Sequence, residues 1–119
     1  MTEKVELLLA ERPAAISPGP ASAEALAQGY VSQLTAALNQ GAVHLSITCA
    51  DPAALGLEPG RTAHAVLRAV VDFLYDHPQV QRLSIRCAGQ EAWRAYSFQW
   101  NLWFAAHKPP HQEEPEQAL

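Results

Sequence analysis

Apolar and polar positions change period several times along the chain, and each change marks an element. Lys4 to Ala10 (KVELLLA) is a short apolar run closed by Glu11-Arg12-Pro13, which predicts a strand. Pro13, Pro18, Gly19 and Pro20 exclude helix and central strand, so residues 13–21 read as a surface linker. Ser22 offers an N-cap to a helix in which Leu26, Tyr30, Leu34 and Leu38 recur every four residues, and Asn39-Gln40-Gly41 stops it. From Ala42 the period becomes two. Val43, Leu45, Ile47 and Cys49 alternate with His44, Ser46 and Thr48, a second strand that ends at Asp51-Pro52. Past a loop holding Gly56 and Gly60, the apolar face of a second helix is drawn by Ala63, Val66, Leu67, Val70, Phe73 and Leu74, with Pro78 beyond its end. Leu83, Ile85 and Cys87 alternate with Arg82, Ser84 and Arg86 in a third strand, and Ala88-Gly89 turns the chain into a last helix carrying Trp93, Tyr96, Trp100 and Trp103.

Strands alternating with helices predict βαβ units, in which crossovers set strands parallel and place helices on the sheet faces. The expected fold is α/β, a small three-layer α/β/α sandwich with a mainly parallel sheet. The 119 residues suit one domain, expected over 1–108, followed by a disordered tail at 109–119 without periodicity. Three strands are few and leave two open edges.

Charge refines this picture. The net charge is −4, but residues 1–108 hold all 8 basic and 9 of the 12 acidic residues, so the acidity is concentrated in Glu113, Glu114 and Glu116. Scattered cations without a cluster argue against nucleic-acid binding. The acidic start and the lack of a long apolar run predict no leader and no membrane association, hence a cytoplasmic protein. In that setting Cys49 and Cys87 are expected to be reduced, buried and free of metal.

The order of elements from Glu24 to about Ala106 resembles the C-terminal half of a macro domain, the family of modules that bind ADP-ribose and related nucleotides. The likeness is carried by a helix with an internal Tyr30, Gly41, the strand Val43 to Cys49, a Gly/Pro loop, and the run Arg61-Thr62-Ala63-His64-Ala65-Val66-Leu67-Arg68-Ala69-Val70-Val71-Asp72-Phe73-Leu74. After His77-Pro78 it continues through the strand Val80 to Cys87 and Glu91-Ala92-Trp93-Arg94-Ala95-Tyr96. The resemblance implies a macro-like fold and ligand contacts at Asp51, Gly56, Gly60, Arg61 and Gly89. Nothing in residues 1–21 resembles the family's adenine-reading Asp or its Asn-rich loop. In the remaining loop, Pro52 and Pro59 remove N–H donors while Asp51 and Glu58 repel a diphosphate. The expectation is therefore a degenerate macro-like protein without ADP-ribose hydrolase activity and without a cofactor.

Two further groups are candidates for function. Asp51 and His64 bracket the loop, and a carboxylate and an imidazole together suffice as a general base; solvated, structural roles are the competing reading. The aromatic stripe Trp93, Tyr96, Trp100 and Trp103, with Phe98, Leu102 and Phe104 off it, makes the last helix apolar over much of its circumference, and Trp93, Tyr96, Trp100, Trp103 and Phe104 are its expected interface residues. Such a helix needs cover on most sides, which predicts a homodimer or another protein partner. Binding or assembly is the expected role. The alternatives are a nucleotide-binding or hydrolysing module whose pocket is completed across a dimer, and a subunit of a larger complex.

Overall fold

A computed structural model describes residues 4–10 and 22–104. The expected linker 13–21, the tail 109–119 and the outer limits of the 1–108 domain lie outside the described residues. The elements run β1 (Val5–Ala10), α1 (Ala23–Asn39), β2 (His44–Cys49), a 3-10 turn (Pro52–Leu55), α2 (Pro59–Asp76), β3 (Arg82–Ala88) and α3 (Gln90–Gln99). The last helix continues into a π turn over Trp100–Phe104.

Local chemistry explains these boundaries. Ser22 caps α1, its hydroxyl accepting from the Ala25 N–H at 3.1 Å. At the other end the N–H groups of Gln40 and Gly41 return to the carbonyls of Ala37 and Leu38. Pro59 opens α2 at a position where a missing N–H costs nothing.

The sheet is wholly parallel in the order β1-β3-β2, so β3, the last of the described strands in sequence, is the central one. Its register aligns Val5, Leu83 and Leu45, then Leu7, Ile85 and Ile47, then Leu9, Cys87 and Cys49. These rows face the helices. Leu45, Ile47, Cys49, Leu83, Ile85 and Cys87 are buried, and the residues alternating with them on β2 and β3 are exposed or half-buried.

The helices form one layer. α1 packs on α2 and beside β2, while α3 packs on α2 and reaches β1 and β3. Flanked on both sides, α2 buries a wide stripe: Ala63, Val66, Leu67, Val70, Val71, Phe73 and Leu74. The expected third layer is corrected: among the described residues no element covers the opposite sheet face. That face presents Glu6 and Leu8 on β1, His44, Ser46 and Thr48 on β2, and Arg82, Ser84 and Arg86 on β3. The polarity of these positions lets water solvate them. Among the described residues no helix is long and apolar enough to cross a membrane.

Candidate functional site

Two open hollows lie at the start of α2, beyond the carboxyl end of β2, where parallel α/β sheets commonly place their ligands. The larger, of about 740 Å³, is lined by Asp51, Pro59, Gly60, Glu91, Trp93, Arg94 and Phe98, among others. The smaller, of about 420 Å³, is lined by Glu24, Arg61, His64 and Trp103, among others. Gly60 and Gln99 line both. A Cβ at Gly60 would stand 3.3 Å from the Gln99 amide nitrogen, so the end of the Gln99 side chain rests against the first turn of α2.

The expected ligand residues are mostly committed to local structure. Asp51 caps the 3-10 turn, its Oδ1 accepting from the Ala53 N–H at 3.1 Å. Gly56 ends that turn at φ 76°, a left-handed conformation that glycine adopts without steric cost, and open space surrounds it. Gly89 likewise turns the chain from β3 into α3, at φ 97°. Arg61 is exposed and forms a loose ion pair with Glu24 at 3.7 Å. The N-terminus of α2 is already occupied, because the Glu58 carboxylate accepts from the Arg61 N–H at 2.6 Å. Neither the proline at its first position nor that carboxylate suits a diphosphate.

Asp51 and His64, paired in the sequence reading as a general base, line different hollows. His64 packs instead on aromatic rings, with centroids 5.5 Å from Trp103 and 5.6 Å from Phe104. Among the described residues no carboxylate or second nitrogen bonds to it.

The expected aromatic interface is corrected at three positions. Ala92, Tyr96, Trp100 and Phe104 are buried at steps of four, so Tyr96, Trp100 and Phe104 belong to the core of the chain itself. Steps of four keep Phe104 on the face of Trp100, with ring centroids 5.6 Å apart, and the π turn, whose i→i+5 bonding widens the last turn, swings Trp103 outward. Trp93 is half-buried. What remains on the surface is Phe98, Leu102 and Trp103, which are 62%, 51% and 55% exposed.

Beneath the strand ends lies a polar cluster that sequence reasoning saw only in part. Cys49 and Cys87 are register partners on adjacent strands, both fully buried and unbridged. The Tyr30 hydroxyl, from α1, accepts from the buried Ala50 N–H at 2.9 Å. The Tyr96 hydroxyl, from α3, has no hydrogen-bonding nitrogen or oxygen partner, and the Cys49 thiol is its polar neighbour. Burial pushes the Cys87 thiol up to about 12. Burial, and after it the neighbouring Cys87, raises the Cys49 thiol far above its usual range. Tyr30 is raised to about 12 by burial and then by Cys49. All four groups are thus neutral near pH 7, and the thiols are poor nucleophiles. Among the described residues no cluster of His, Cys, Asp and Glu has metal-binding geometry.

Comparison with family models and with curated proteins finds no match for this chain.

Proposed function

We propose that the chain is an assembly module, and that it forms a homodimer through the outer face of α3 and its π turn. The single observation carrying this reading is the contiguous exposure of Phe98, Leu102 and Trp103 beside the two hollows. Large apolar side chains clustered on a soluble chain mark contact surfaces, and Trp and Phe are enriched there. A second copy is the simplest cover, because a two-fold axis needs only one self-complementary patch. The half-buried Trp93 in the wall of the larger hollow offers a place for a partner's aromatic side chain to enter. Light scattering at micromolar concentration tests the reading: twice the chain mass is expected, reverting to the chain mass in Leu102→Ser with Trp103→Ser. A monomer of the unaltered sequence refutes it.

The position of the larger hollow beyond a strand end favours one further reading, a nucleotide-type ligand bound by a macro-like fold. The Glu58 cap and the two loop prolines weigh against it, and the placement of Asp51 and His64 in the walls of different hollows weighs against hydrolysis. Calorimetric titration with ADP-ribose is expected to give no submillimolar binding. A submillimolar dissociation constant would restore this reading.

A further inference from the structure

We propose that Cys49 and Cys87 together hold one copper(I) ion in a two-coordinate site, with the Tyr96 hydroxyl donating a hydrogen bond to the Cys49 sulfur. None of these residues lines either hollow, so the site is independent of the assembly reading. The sequence alone favours metal-free thiols, because two donors are too few for zinc; the pairing of their strands changes that.

Register sets the spacing. Cys49 and Cys87 stand opposite one another on β2 and β3, buried on the side of the helices. Neighbouring strands lie about 4.8 Å apart, and side chains leaving them on one face keep roughly that separation. A disulfide needs its Cβ atoms about 3.5–4.5 Å apart, tighter than this arrangement offers. Two metal–sulfur bonds of about 2.3 Å set in line span about 4.6 Å, which matches it.

Ligand number selects the metal. Among the described residues no third His, Cys, Asp or Glu joins the pair. Zinc and iron–sulfur clusters, which take four donors, are therefore not served. Copper(I) is soft, favours thiolate and is satisfied by two donors in line. A coordinating thiol is deprotonated outright, so one ion and two thiols give a complex of charge −1 while two protons leave to water.

The surroundings suit that charge. Tyr96 is fully buried, its hydroxyl has no nitrogen or oxygen partner, and Cys49 is its polar neighbour. Beside a neutral thiol that hydroxyl is an unpaired donor; beside a thiolate it makes a charge-assisted hydrogen bond. The Tyr30 hydroxyl accepts from the Ala50 N–H, which leaves its own hydrogen to turn toward the same sulfur. Cys87 gives up little, since its thiol reaches only the Ile85 carbonyl, at 4.0 Å. Both cysteines are 0% exposed, so the ion enters as β3 inserts between β1 and β2 and is trapped afterwards.

The full chain is unfolded in urea under nitrogen, refolded with copper(I) supplied as its acetonitrile complex, freed of excess by gel filtration and challenged with the copper(I) chelator bathocuproine disulfonate. One ion per chain is expected, held until urea reopens the fold, with X-ray absorption showing two sulfur neighbours in line. Cys49→Ser and Cys87→Ser should each abolish retention. With graded chelator present during refolding, Tyr96→Phe should show an affinity lower by about 10–100-fold. Should a serine variant fail to fold by circular dichroism, Tyr96→Phe carries the comparison. A refolded chain that keeps no copper(I), retention unchanged in a folded serine variant, nitrogen in the copper shell, or an affinity unchanged in Tyr96→Phe overturns the proposal. So does rapid closure of a Cys49–Cys87 disulfide in the native chain under a mild oxidant, which would place the sulfurs too close for an ion between them.

Discussion

Replacing either of two buried tyrosines with phenylalanine removes one oxygen and keeps the ring, yet the two substitutions should act in opposite directions. The Tyr30 hydroxyl satisfies the N–H of Ala50, which is 5% exposed. Without it a buried donor loses its partner, and leaving such a group unpaired costs about 1–3 kcal/mol. The Tyr96 hydroxyl is equally inaccessible but makes no hydrogen bond to nitrogen or oxygen. Burying it already costs about 1–3 kcal/mol on the scale of protein mutational data. Tyr96→Phe recovers part of that, less the small void left by one atom, for a net gain of about 1 kcal/mol. Urea unfolding followed by tryptophan fluorescence measures both, read as shifts in midpoint at constant slope. Tyr30→Phe should lower the midpoint and Tyr96→Phe should raise it or leave it unchanged. A loss above about 1 kcal/mol in Tyr96→Phe would refute the reasoning, because it would mean that the contact with Cys49 is a hydrogen bond of ordinary strength.

Alkaline pH should weaken the fold: the thiols ionise near 9 when unfolded but stay protonated in the native state up to about 12 for Cys87. The unfolded chain then binds fewer protons, so stability falls as pH rises from about 9, and Cys87→Ala should flatten urea midpoints measured over that range. Glu58→Ala removes the cap of α2 and should cost about 0.5–2 kcal/mol by the same assay; an unchanged midpoint would deny that cap any role. Native protein should react slowly with a thiol reagent at pH 8, with both cysteines becoming reactive together in denaturant; rapid labelling of either one in the native state would contradict their burial.

Much of the fold is legible in the sequence because periodicity and packing agree there. Ser22, Gly41 and the alternation of Leu45, Ile47 and Cys49 foretell α1 and β2 closely, and the same holds for α2 and β3. The exposed face of β2 and β3 is legible there too, against the expectation that crossovers place helices on both faces. A parallel strand covered on both faces reads as a continuous apolar run, whereas His44, Ser46 and Thr48, like Arg82, Ser84 and Arg86, interrupt theirs at every second residue. That alternation is the signature of one wet face. The π turn had no such signature. A stripe drawn at three and four residue steps puts Trp103 inward, whereas Phe104, four residues after Trp100, keeps the inner face and the wider final turn carries Trp103 out. Asp51 and His64 line different hollows, and linear spacing across a loop does not say which hollow each will line.

The central place of β3 governs how this chain acquires its sheet. Among the described residues β1 and β2 make no ladder with one another, and each pairs with β3, the last of the three to leave the ribosome. Glu6 meets Ser84 across a separation of 78 residues, so no sheet exists until more than two-thirds of the chain has been made. Two unpaired strands must wait while α1 and α2 find each other, and contacts of such long range fold slowly. A chain interrupted after α2 would hold two apolar strands and no partner for either, a form prone to pairing with its neighbours. Folding is expected to be all-or-none, with insertion of Leu83, Ile85 and Cys87 between the waiting strands as its committed step, and truncation before Arg82 should yield aggregate rather than a smaller domain.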